Sequence, residues 1–397
     1  MNSKIPSLFS RLAIALLLVG GVSPGGVVRN AAADELTIHG WPDASQPIPV
    51  SLDGFTGEEK SVLAFDLEIG GCDIVPADKA SYLVRGGNDG GVMGQVTHRA
   101  SKAVLLPMTK YTGGSVRSQA HALSAEIIGK ITGVKGIARS KVAFKVDTGG
   151  TSEIYYSDYD GFNAVQVTSD HSTVAAPAFG PGGHLLYYTS YRAINPDIYS
   201  HDLRTAERQA IAKYPGLNTS VAVSPDGRRL AMILSKSGSP DVYVCNADGS
   251  NLKQLTSTKE DESSPCWSPD GRTICFVSRS SGRGRLYTIP AEGGATQHLV
   301  TAEVGNATEP DWSPDGKTIV FTALRGEFNL CTVPAGGGPV TTLVAGEDGA
   351  WAANSRTIIF TRREGNRRIL SLLDVPTKHV KDIHRVSGSC SQPCWAK

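Results

Sequence analysis

PCWSPDG at residues 265–271 returns, cut short, as PCWAK at residues 393–397. The tetrapeptide inside it occurs three times, at Ser224–Gly227, Ser268–Gly271 and Ser313–Gly316, so successive copies stand 44 and 45 residues apart. Ser-Pro-Asp-Gly is turn chemistry: proline in the second position holds φ at about −65°, which suits a type I turn, and glycine closes the fourth. Such a turn joins two antiparallel strands. Stepping back 44 residues from Ser224 reaches GPGG at 180–183, and a further step reaches 136, just ahead of SKVAF. Forward of Ser313 the spacing shortens to 39, and AANS at 352–355 stands where SPDG would be. The period outlasts its motif.

Each unit reads as four short strands. After the turn comes an apolar strand (TICFVSR, TIVFTAL), then a third (RLYTIP, NLCTVP), a Gly-rich turn (AEGGA, PAGGGP) and a fourth (TQHLVT, VTTLVA). Four strands in about 44 residues, repeated, is the signature of a β-propeller blade. Tandem sandwiches need about 90 to 100 residues per unit. Sialidase boxes are excluded because Gly directly follows Asp, and the Gly-His and Trp-Asp marks of WD40 blades are absent. Complete blades follow from inner strands at AAPAF, SVAVS, PCWS, PDWS and GAWA. Residues 140–169 (SKVAFKV, EIYYSDYDG, AVQVTS) supply three further strands without an inner one. The terminal QPCWAK supplies that strand, so 136–397 is expected to be a six-bladed ring closed by residues 391–397, with Trp395 in the place that Trp267 and Trp312 hold in their blades.

Composition agrees with an all-β dominant chain: 44 glycines and 22 prolines among 397 residues imply many tight turns. Lys plus Arg number 39 against 38 Asp plus Glu, which gives no electrostatic case for nucleic acid or an anionic membrane surface. Residues 1–33 read as a cleaved export signal: Lys4 and Arg11 precede an apolar run, Leu12 to Val22, that is shorter than a bilayer span, and Ala31-Ala32-Ala33 offers the cleavage site. The mature chain is expected to begin near Asp34, in the periplasm, without stable membrane insertion. Residues 34–135 fall outside the period and read as a smaller α/β domain. Its helices are expected over 58–67, with acids in the first turn, and 118–131, with Leu123, Ile127, Ile128 and Ile131 on one face. Seven scattered cysteines lack C-x-x-C spacing and read as buried small hydrophobes, and nine scattered histidines offer no metal pair. No metal or other cofactor is expected.

IIGKITGVKGIARSKVAF leading into EIYYSDYDGFNAVQV resembles the join between the N-terminal domain and the first blade in the TolB family, periplasmic components of the Tol-Pal envelope system. The SPDG blades, read as PD40-type WD40-like repeats, and the terminal Pro-x-Trp strand also match it. That resemblance implies a monomeric, non-catalytic binding protein that supports outer-membrane integrity and cell division. It would receive Pal, the peptidoglycan-associated lipoprotein, at one propeller mouth, with TolA as a second partner. Loops leading into inner strands rim such a mouth: 169–174, 214–220, 257–264, 303–309 and 346–349. By correspondence with the family's Pal-contacting loops, Ser263, Ser264, Thr308 and Glu309 are the expected contacts, with Asn218 and His171 behind them. The rival class is an enzyme. A propeller-capped peptidase needs a G-x-S-x-G elbow, which the sequence lacks, and a lyase needs His, Gln and Arg converging in the channel. A propeller serving a different envelope partner is the other alternative.

Overall fold

The structure, a computed structural model, describes residues 45–299 and 304–397, so the export signal and the start near Asp34 lie outside the described residues. The first domain opens with β1 (Ile48–Asp53), α1 (Gly57–Ile69), β2 (Cys72–Ile74), β3 (Tyr82–Asn88), β4 (Val92–His98), β5 (Val104–Tyr111) and α2 (Val116–Thr132). The sheet order is β2-β1-β3-β4-β5, with β1 parallel to both neighbours and the rest antiparallel. Glu59 fixes the start of α1 by accepting the Thr56 N–H at 3.0 Å. Ser115 caps α2, and Gly133 ends it at φ 70°. Val62, Leu67, Leu123 and Ile127 meet Val50, Val84 and Val96 in one apolar core between helices and sheet.

From Lys141 onward the chain builds six four-stranded antiparallel sheets. The repeated turn explains its own sequence. In the third blade the Ser224 hydroxyl accepts the Arg229 N–H at 2.9 Å and donates to Asp226 at 2.6 Å, while Asp226 accepts the Arg228 N–H at 3.1 Å. Gly227 stands at φ 71°, a conformation glycine adopts at no steric cost. The serine hydroxyl first, then the arginine N–H, hold the Asp226 carboxyl below the usual range, and Asp270 is held likewise. Where AANS replaces SPDG, Asn354 takes both roles, accepting the N–H groups of Arg356 and Thr357 at 3.0 and 2.9 Å.

The C-terminal strand completes the first blade. Ser389–Trp395 is the inner strand of the first blade, antiparallel to Lys141–Asp147, with Trp395 opposite Val142. The strand starts two residues earlier than expected and ends at Trp395, after which the Ala396 N–H donates to Lys141 at 2.9 Å. Trp395 does what Trp267 does: each indole N–H crosses to the preceding blade, to the carbonyls of Ala350 (2.9 Å) and Ala222 (3.1 Å). Trp312 departs from that pattern, turning its indole N–H to Gly316 in its own turn at 3.2 Å. Six of the seven cysteines are buried and Cys394 is half-buried.

Ser157–Gly161, which carried the resemblance, locks the two domains together. The Tyr159 hydroxyl donates to Asp66 of α1, whose other oxygen meets His121 Nδ1 at 2.8 Å and the Ser124 hydroxyl. Asp160 pairs with Arg117 of α2 and lies 3.4 Å from His121 Nε2. Asp66, Tyr159 and Asp160 are all buried. Burial, then the Asp66 charge, pushes the Tyr159 phenol well up, so it stays a donor. The Tyr159 ring in turn stacks on Trp395 with centroids 6.3 Å apart, tying the closing strand to the first domain.

Candidate functional site, the axial cavity

The six inner strands share a defect. In each, two residues stand opposite one on the neighbouring strand, and the first of the two takes positive φ. These bulge residues are Ala176 (51°), Ser220 (55°), Ser264 (51°), Glu309 (52°), Asp348 (58°) and Gln392 (52°). Facing them are Tyr188, Met232, Phe276, Phe321, Phe360 and Phe144, all buried. A bulge bends its strand and re-aims its side chains. Here it turns six otherwise unlike residues toward one cavity of about 480 Å³, walled in every blade from the bulge to the turn that follows it.

Half of this ring is laced. Glu309 accepts the Asp348 N–H at 3.3 Å, Asp348 accepts the Gln392 N–H at 3.0 Å, and Gln392 accepts the Ala176 N–H at 2.9 Å. Each side chain thus reaches the equivalent backbone of the next blade. Among the described residues no such bond leaves Ala176, Ser220 or Ser264, whose side chains are shorter. Thr322 and Thr361 donate to the Glu309 and Asp348 carboxyls at 2.9 and 3.0 Å. Burial, then the neighbouring Asp348 charge, pushes the Glu309 carboxyl well above the usual glutamate range. Toward the turns, the wall carries Trp267, Trp312 and Trp395, and Lys397 reaches Asp311 at 3.2 Å.

The structure divides the six residues chosen from sequence. Ser264 and Glu309 are bulge residues in the cavity wall. Ser263 and Thr308, one position earlier, are half-buried and pair with Val277 and Thr322. Glu309 stands in the inner strand Asn306–Trp312 and not on the rim loop, and the bulge turns it into a half-buried hydrogen-bond network. Asn218 is not a surface contact either. It is fully buried and pins its own loop, donating to the carbonyls of Tyr214 and Pro196 at 2.8 and 3.0 Å. His171 is exposed on the loop entering the second blade, its backbone N–H bound to Glu153 at 2.8 Å. Asp348, in the rim loop 346–349, and Gln392, in the closing strand, were not among the residues chosen. Counting four residues back from each turn would have found them, since 264, 309, 348 and 392 all stand in that position.

Comparison with known proteins agrees with this architecture. A Tol-Pal system protein TolB from Desulfosudis oleivorans is 33% identical over 165 residues, which cover 40% of this chain and 37% of that protein. Its counterpart from Alcanivorax borkumensis is 28% identical over 141 residues, 34% of this chain and 32% of that one. The chain thus spans about a third of the length of the curated relatives it matches. In three dimensions it is similar to the crystal structure of TolB from Acinetobacter baumannii, with a TM-score of 0.81 and 22% identity over 88% of this chain and 97% of the other. Residues 128–397 match the family described as the TolB beta propeller domain, and the chain belongs to that family.

Proposed function

We propose that the chain is a non-catalytic, periplasmic binding component of the Tol-Pal envelope system. It receives a Pal-like peptidoglycan-associated lipoprotein at the mouth where the loops enter the inner strands, and so supports outer-membrane integrity and cell division. The bulges follow those loops directly in the chain and line the cavity. The observation that carries the reading is the unlaced arc: the bulge N–H groups of Ser220, Ser264 and Glu309 have no side-chain acceptor from the preceding blade among the described residues, whereas those of Asp348, Gln392 and Ala176 do. Ser263 and Thr308 immediately precede Ser264 and Glu309 in this arc. The described wall of the cavity contains Gln392 but neither histidine nor arginine, which favours binding over a lyase-type site. Among the described residues no helix is long and apolar enough to cross a membrane. TolA contact is assigned to the residues before 45.

Calorimetry with the soluble part of a Pal-like lipoprotein tests this. Ser264→Tyr fills the unlaced arc and is expected to weaken binding by about tenfold or more, the scale of one lost buried contact. Unchanged affinity in Ser264→Tyr and in Ser263→Arg would move the site to the opposite face, around the SPDG turns.

A further inference from the structure

Away from the axis, the cleft between the first and second blades holds a second cavity, about 470 Å³, lined by Val167–Asp170, Tyr188, Arg192, His201, Ala206 and Arg208. Tyr188 occupies there the position that phenylalanine or methionine holds in the other five blades, so it alone brings a hydroxyl to it. That hydroxyl is buried without a partner, as are His201 Nδ1 and Arg208 Nε. Buried polar atoms are normally satisfied by protein, water or ligand. Three orphans around one polar cavity ask for a guest.

The charges say which kind. Both oxygens of Asp170 are already engaged, by Arg208 Nη1 and Nη2 at 2.6 and 2.8 Å and by the Ser190 hydroxyl. Held by a bidentate arginine with a second guanidinium nearby, that carboxylate is a poor ligand for a cation. Arg192, by contrast, stands 4.0 Å from Asp170 with half its side chain exposed. Among the lining residues two guanidinium groups stand against one carboxylate, and Glu153, buried behind the lining, is already held by the Thr168 hydroxyl and the His171 N–H. Burial first, then Arg208, lowers the His201 pKa, so the imidazole is neutral and adds no charge. The guest that fits unpaired donors beside two guanidinium groups is an anion. Beside the cleft, the loop after Ser190 exposes Tyr191 and, fully, Ile194, an apolar flank for a larger molecule that carries the anionic group.

We propose that this cleft binds an oxyanion, the carboxylate or phosphoryl group of a larger ligand, through Arg192, Arg208 Nε–H and the Tyr188 hydroxyl. The site is separate from the axial cavity and does not depend on what binds there. Titration of the full chain with inorganic phosphate and, separately, with N-acetylalanine, read by amide chemical shifts, tests it. Saturable shifts at residues 168–170 and 188–192 are expected with at least one probe, and which one responds distinguishes a phosphoryl source from a peptide carboxylate. Arg192→Ala, an exposed change that spares the fold, should weaken that binding by about tenfold or more, the worth of a charge-assisted hydrogen bond. Tyr188→Phe should weaken it less, and Arg204→Ala, on an exposed ion pair outside the cleft, should leave it unchanged. No saturable shift with either probe, or binding indifferent to both Arg192→Ala and Tyr188→Phe, overturns the proposal and leaves water as the filling.

Discussion

The bulge ring around the axis and the lock between the domains are both polar networks set in apolar surroundings, but they are built on opposite plans. The ring uses one position six times. Its backbone geometry is the same in every blade, with φ between 51° and 58°, while its side chains vary from alanine to glutamate. The lock is built once: Asp66, Arg117, His121, Ser124, Tyr159 and Asp160 each have a separate task, and three of them, His121, Ser124 and Tyr159, gather at the single carboxylate of Asp66. Repetition therefore allows side chains to change with little structural loss, whereas the single-copy lock should tolerate almost none.

The largest test of this contrast acts on the place where ring and lock touch. Deleting residues 389–397 removes the inner strand of the first blade, the Trp395 indole bond to Ala350 and the stacking partner of Tyr159. A buried Trp→Ala change alone costs about 3 to 5 kcal/mol, against a usual total of about 5 to 15. The truncated chain is expected to lose cooperative thermal melting and to aggregate through the exposed strand edges. Loss of the exposed loop residues 259–261 should leave melting nearly unchanged. Next comes Asp66→Ala, which leaves the Tyr159 hydroxyl and His121 Nδ1 buried with no acceptor. Breaking a buried charged network typically costs about 3 to 5 kcal/mol. Urea denaturation should show it, and Tyr159→Phe, which removes one hydrogen bond, should cost only about 1 kcal/mol. If both cost under about half of these values, the lock is not single-copy in its energetics and other contacts carry the domain joint.

The same contrast explains what could be read from the sequence. Blade number, period and ring closure were legible because turn chemistry is local: Ser, Pro, Asp and Gly each answer a requirement of one hairpin, and the requirement recurs. The three-residue β2 went unseen because a parallel edge strand that short has no periodicity to display. Asp348 and Gln392 were not chosen because their units lack SPDG, although their distance from the turn is kept. Glu309 was placed on the rim loop 303–309, whereas it stands within the inner strand Asn306–Trp312, and a bulge inverts the facing of a side chain and leaves no mark in hydrophobic alternation. The lock residues were legible only in part: Tyr159 and Asp160 lie in a recognisable segment, but nothing near Asp66 or His121 in sequence announces that they meet across 55 positions.

Within the ring a smaller effect is expected, and it depends on pH. Glu309 has a folded-state pKa above its unfolded value, so it favours the folded chain while protonated. That contribution is fully present below the ordinary glutamate value and is lost as pH rises through the raised one. Glu309→Gln keeps the group uncharged throughout. The variant is expected to melt higher than the parent at about pH 8, with the gap closing toward about pH 4. A gap that stays constant across this window would show that Glu309 is already ionised in the folded ring and that the lacing, not protonation, holds it.

The smallest expected effect addresses the unlaced arc. Ala176 sits at φ 51°, where an L-residue other than glycine, asparagine or aspartate is strained by about 1 to 2 kcal/mol. Asparagine tolerates that conformation, and its side-chain oxygen could accept the Ser220 N–H as Asp348 accepts that of Gln392 at 3.0 Å. Ala176→Asn should therefore stabilise the fold by about 0.5 to 1 kcal/mol, seen as a higher urea midpoint at constant slope. If the ring is indifferent to side-chain identity, as its variation from blade to blade suggests, nothing else about folding should change. Affinity for a Pal-like partner, measured on the same variant, then separates two meanings of the bare arc. Weakened binding in a stabilised protein means that the backbone left uncovered at Ser220, Ser264 and Glu309 is the surface the partner uses. Stabilisation with unchanged binding means that the bare arc is a place where three blades forgo a hydrogen bond and that the partner's contacts lie elsewhere on the rim.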